Sequence, residues 1–129
     1  MDDRTEFRGT ACLLRAAVTA GYAGHAGAVI AGFALITRGF HPALAAPLAL
    51  WALVVYWQVR ASLDAALFEW LAEGAKPDEI DHFLHRAGLI GPPRERPAAD
   101  RCRGGMGIAR RLVGAVVAEW VAVGVGLTF

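Results

Sequence analysis

Polarity along the chain alternates between long apolar runs and segments rich in arginine. Three runs stand out: residues 16–37, residues 43–59 ("ALAAPLALWALVVYWQV") and residues 112–129 ("LVGAVVAEWVAVGVGLTF"). The first holds no formal charge when His25 is neutral, the second ends at Arg60, and the third carries one acid, Glu119. A bilayer's hydrocarbon core takes about 20 residues of helix, with a range of roughly 17–25. Each run is apolar nearly all round, unlike a surface helix, which keeps one polar face. The pattern predicts an all-α polytopic membrane protein with three transmembrane helices. A buried three-helix core in water is the competing reading, and runs of this length favour the bilayer. Arg15 interrupts the short apolar stretch 11–14, so a cleaved signal peptide is not expected.

Between the second and third runs the period changes. In residues 60–73, Leu63, Ala66, Leu67, Trp70 and Leu71 share one helical face, while Asp64, Glu69 and Glu73 lie elsewhere. Nothing breaks the helix at Arg60, so the second crossing is expected to continue to about residue 73, where Gly74 and Pro77 end it. Residues 77–89 form a second helical unit. Pro77 suits its first turn, Asp78, Glu79 and Asp81 its positive end, His85 and Arg86 its negative end, and Gly88 a stop. Its stripe Ile80, Phe83, Leu84 and Ala87 is expected to fold back on Leu63, Leu67 and Trp70 as a helical hairpin. Residues 91–104 ("GPPRERPAADRCRG") have no apolar period and are expected to be mobile or to lie along anionic headgroups.

The basic residues orient this plan. Arg4, Arg8 and Arg15 precede the first run, and Arg38 alone lies between the first and second. Arg60, Lys76, Arg86, Arg94, Arg96, Arg101, Arg103, Arg110 and Arg111 lie between the second and third. Three crossings put all of them except Arg38 on one side, which the positive-inside rule makes the cytoplasm. The N-terminus is then inside, Gly39 to Pro42 an outer turn, and Phe129 outside. Tyr56 and Trp57, just before Arg60, fall where an interfacial aromatic belt would sit.

Composition agrees. The 129 residues suffice for one domain, are 56% hydrophobic with mean hydropathy +0.40, and only 19% charged, against about 25% in ordinary domains. A net charge of +1 gives no reason to expect nucleic-acid binding. One lysine against twelve arginines, with abundant alanine and glycine, suggests a GC-rich bacterial genome and therefore a bacterial cytoplasmic membrane. Cys12 and Cys102 form neither a disulfide framework nor a zinc motif.

Two features lie inside the crossings. Ala20, Gly24, Ala28 and Gly32 recur every four residues, as do Gly114, Ala118, Ala122 and Gly126. Such ribbons allow close helix–helix approach, within a chain or between subunits. His25 and Glu119 flank them at comparable depth, roughly 14 Å and 11 Å from the cytoplasmic starts of their runs at 1.5 Å per residue. A carboxylate facing lipid there costs about 2.5–3.5 kcal/mol. A His25–Glu119 hydrogen bond would make each group tolerable, as a packing contact or as a proton-exchanging pair.

Other constellations carry less chemistry. His82 and His85, with Asp78 and Asp81 four residues before each, have metal-ligand spacing but no third strong ligand, so a solvated polar face is the simpler reading. His25 has no second axial histidine for haem, and "RGGMGIARR" at 103–111 lacks the strand that a dinucleotide fingerprint needs. No catalytic group, cofactor or metal is expected. The expectation is a non-enzymatic interaction, assembly or accessory subunit, embedded in the lipid bilayer. Its partners would be other membrane subunits or further copies of itself, engaged through Leu63, Leu67, Trp70, Ile80, Phe83 and Leu84. The alternative is an oligomeric proton-coupled transporter or channel using Glu119 and His25.

Overall fold

The computed structural model describes residues 2–92 and 95–129, and among them all regular structure is helical. The order is α1 (Asp3–Arg38), α2 (Pro42–Ala72), α3 (Pro77–Arg86) and α4 (Ala98–Leu127). The short turn between α1 and α2 dictates how they pack. Gly39, at φ 86°, ends α1 with its N–H on the Leu35 carbonyl at 3.0 Å. His41 caps α2 by accepting from the Ala43 N–H at 3.2 Å, and Pro42 takes the first position, where its missing N–H costs nothing. So short a turn leaves α1 and α2 antiparallel neighbours. α4 runs back alongside both, and the three long helices pack against one another.

The bundle has two unlike halves. In the half nearer the N-terminus, large side chains make the core: Phe7, Leu14, Phe68, Leu71, Ile80 and Leu112 are all buried. In the other half α1 is buried through Gly21, Gly24, Gly27, Ala28, Ala31 and Ala34. There Leu44, Val54 and Val123 are buried, but many large apolar side chains point outward: Val29, Phe33, Ile36, Val59, Val121 and Val125 are all exposed. A patch of this extent is uncommon on a soluble monomer. α1 and α2 are each long and apolar enough to cross a membrane. α4 stands apart from them, with Arg110, Arg111 and Glu119 in the last 18 residues of its helix.

Three expectations change. α1 begins at Asp3, well before the apolar run, because Phe7, Ala11 and Leu14 bury a face against α2 and α4. Residues 98–104, expected as mobile linker, form the first turns of α4: Arg101 is paired and Cys102 and Gly105 are buried. Pro93 and Arg94 of that linker lie outside the described residues. The stripe-on-stripe hairpin is not confirmed, and α3 is held chiefly through two residues. Ile80 is buried in the core cluster with Phe68 and Leu71, and Asp81 is held by Arg101 of α4. Leu67 and Leu84 are partly covered, while Leu63, Trp70 and Phe83 remain exposed. These two anchors, one in the core beside α2 and one on α4, hold α3, whose ten residues offer little apolar area for a stripe-on-stripe contact.

Candidate functional site

Within the apolar half, α2 presents Trp51 and Gln58, seven residues apart and so on one helical face. His25 of α1 lies between them. The Trp51 indole N–H donates to His25 Nδ1 at 2.8 Å, and His25 Nε2 is 2.8 Å from Gln58 Oε1. Indole nitrogen only donates. Nδ1 therefore accepts, and Nε2 carries the proton and donates to the amide oxygen. Gln58 Nε2 passes the chain on to the Val18 carbonyl at 3.0 Å. The result is a neutral, fully partnered line: indole, imidazole, amide, backbone. The expected His25–Glu119 hydrogen bond is absent because both imidazole nitrogens are engaged on α2.

Glu119 takes a separate place. Its side chain is 0% exposed, and neither carboxyl oxygen has a hydrogen-bond partner. It lies against the backbone of α1. A Cβ on Gly24 would come within 2.7 Å of Glu119 Oε2 and 2.8 Å of Val54 Cγ1, and one on Gly27 within 3.2 Å of Oε1. Gly21 does the same for Gln58, whose Cδ would be 3.0 Å from a Cβ there. Three glycines three residues apart thus form the seat on which α2 lays an amide and α4 a carboxyl group. Trp120 covers the seat, its indole N–H donating to the Ala23 carbonyl at 3.0 Å.

The four-residue ribbons are only half used. Gly24 and Ala28 are buried, but Ala20 is exposed and Gly32 has open space beside it. In α4, Gly126 is buried, Ala122 is half-buried, and Gly114 and Ala118 are exposed. At 3.6 residues per turn, four-residue steps drift by about 40° each, so the row winds off the contact face. Gly126 shows what one fitting position achieves. A Cβ there would be 2.7 Å from the Ala43 carbonyl oxygen. That carbonyl has no helical donor because Pro47, four residues on, lacks an N–H.

In the arginine-bearing half, ion pairs join the helices. Arg101 grips Asp81 with Nη1 and Nη2 at 2.9 and 2.5 Å, and the two side chains are only 9% and 3% exposed. The guanidinium holds the Asp81 carboxyl below its ordinary range, mainly through these hydrogen bonds. Arg15 forks onto Glu69 at 2.5 and 2.7 Å on the surface, lowering Glu69 in the same way. Burial pushes Asp64 upward, against the pull of Arg60 at 3.6 Å. His82 and His85 are not brought together as ligands. Their Nδ1 atoms meet the carbonyls of Asp78 and Ile90, and among the described residues no cluster of three or more His, Cys, Asp or Glu could hold a metal ion.

Sequence reasoning missed Trp51, Gln58, Asp81 and Arg101. Gln58 had a signal, being the one amide in the run 43–59; the others had none. No protein family, curated protein or solved structure matches the chain.

Proposed function

We propose that this chain is an integral membrane protein of the bacterial cytoplasmic membrane, crossing three times with its N-terminus inside and its C-terminus outside. It acts as a non-enzymatic accessory or assembly subunit. The carrying observation is the set of large apolar side chains left open in the arginine-bearing half: Leu63, Trp70, Phe83 and Leu89 are 37–49% exposed there. Lipid accounts for exposed apolar groups in the other half but not for these, which a partner protein would cover. The embedded polar groups support the same reading. The imidazole and amide are consumed in joining α1 to α2, and Glu119 is sealed. Copurification from native membranes tests it. Phe83→Asp should lose the partner while Glu119→Gln keeps it; a stable homo-oligomer with no other protein would overturn the accessory role.

A second reading, an oligomeric proton-coupled transporter or channel, draws on the two unpartnered oxygens of Glu119. An intramembrane acid without a fixed donor is suited to taking up and releasing a proton. In that case Glu119→Gln abolishes proton flux into liposomes at unchanged protein abundance.

A further inference from the structure

A cavity of about 190 Å³ opens where α2, α3, the connection between α3 and α4, and α4 meet. Its apolar wall includes Leu67, Phe68, Ile80 and Ile108. Its polar lining is three guanidiniums, Arg60, Arg96 and Arg101, and two carboxylates, Asp64 and Asp81. The acids are largely spoken for. Both oxygens of Asp81 are held by Arg101, and Asp64 lies beside Arg60, with burial disfavouring its charged form. The cations are not fully answered. Arg96 has no ion pair among the described residues, and the Nε–H of Arg101 is buried without an acceptor. A nine-tenths buried guanidinium with an idle donor lines a cavity whose balance is one positive charge.

Position narrows the ligand. Arg60 directly follows the apolar run of α2, and Ile108 closely precedes that of α4. The cavity therefore sits where the helices leave the apolar half. In the membrane reading this is the cytoplasmic headgroup level, where basic pockets between helices hold anionic lipid heads. We propose that this cavity binds an anionic phosphate group, with Arg60 and Arg96 meeting its oxygens and Arg101 adding its positive charge to the wall. Guanidinium suits phosphate because its planar fork matches the oxygens and is weakly hydrated. The apolar wall beside the arginines favours a phospholipid head, with its glycerol and first methylenes, over free phosphate.

The lipid source rests on the membrane reading; phosphate recognition does not. Full-length protein is assembled in nanodiscs, where co-elution reports membrane embedding separately. It is then released into detergent, and bound lipid is read by native mass spectrometry. Wild type should retain phosphatidylglycerol in preference to phosphatidylcholine. Arg96→Gln and Arg60→Gln should each weaken that retention about fivefold, the scale of one basic side chain at an anionic surface. Arg8→Gln, exposed and outside the cavity, should leave it unchanged. Arg101 is left intact because its loss would strip Asp81. In a parallel arm, inorganic phosphate is added to lipid-free protein and the melting temperature is read. A phosphate-dependent rise that Arg96→Gln removes, without lipid retention, assigns free phosphate as the source. Equal effects of Arg8→Gln and Arg96→Gln, or neither preferential lipid retention nor a phosphate-dependent rise, would overturn the proposal.

Discussion

The indole N–H of Trp51 donates to Nδ1 of His25 at 2.8 Å, and this bond sets the form of the histidine. Nδ1 must present a lone pair, so the proton resides on Nε2, facing Gln58 Oε1. Nitrogen-15 NMR in detergent should therefore find His25 as the neutral Nε2–H tautomer. Trp51→Phe should release the constraint and destabilise the bundle by about 0.6–1.7 kcal/mol, the scale of interhelical hydrogen bonds in membrane proteins. A cationic His25 in wild type would contradict this arrangement.

Glycine substitutions separate contact positions from compositional ones. Gly24→Ala pushes a methyl into Glu119 and Val54, and Gly126→Ala pushes one into the Ala43 carbonyl, which as backbone cannot step aside. Each should cost about 1–3 kcal/mol in thermal unfolding in detergent, as overpacking does. Gly32→Ala meets open space and exchanges glycine for a better helix former. It should be neutral or slightly stabilising. Equal losses at all three would mean that the four-residue ribbon is the real interface.

Glu119 leaves two buried oxygens unpaired, so removing them should not harm the bundle. Glu119→Met keeps an unbranched side chain and eliminates the unsatisfied groups, an exchange that is nearly neutral or stabilising. The melting temperature should stay level or rise. A fall corresponding to several kcal/mol would reveal a hydrogen-bond partner for the carboxyl group.

Asp81 gives stability a pH signature. Its carboxyl sits below the ordinary range because Arg101 holds it, so its contribution is complete above the unfolded value near pH 4. It fades as pH falls through the lower folded value. Asp64, raised by burial, acts in the opposite sense, its protonation favouring the folded state. Asp81→Asn, which leaves Arg101 buried and unpaired, should cost about 3–5 kcal/mol at neutral pH. It should also flatten the acid limb of the stability profile, measured by denaturant unfolding between pH 3 and pH 7.

Much of the helical architecture was legible because it depends on local quantities. Run length, apolar period, Gly39, Pro42 and Pro77 act within a few residues of themselves, and they mark where α1, α2 and α3 start or stop. Glu119 was legible as an anomaly because an acid in an apolar run needs a physical account wherever it lies. Its surroundings were not. Whether His25 meets Glu119 or Gln58 depends on how α2 and α4 rotate about α1, and every helix of this pattern allows several rotations. The Asp81–Arg101 pair spans two helices across an irregular connection and has no period to betray it.

Sequence alone determined that the chain is helical, that it is built from long apolar rods, and that its guanidinium groups, all but that of Arg38, collect at one end. These follow from propensity, spacing and charge, which each residue carries with it. Only the tertiary structure decided that Gly21, Gly24 and Gly27 form the polar seat, that Gln58 rather than Glu119 accepts the hydrogen bond of the histidine N–H, and that Arg101 binds Asp81. Those outcomes depend on the relative rotation and axial shift of packed helices, set by all side chains at once, and no single stretch of the chain encodes them.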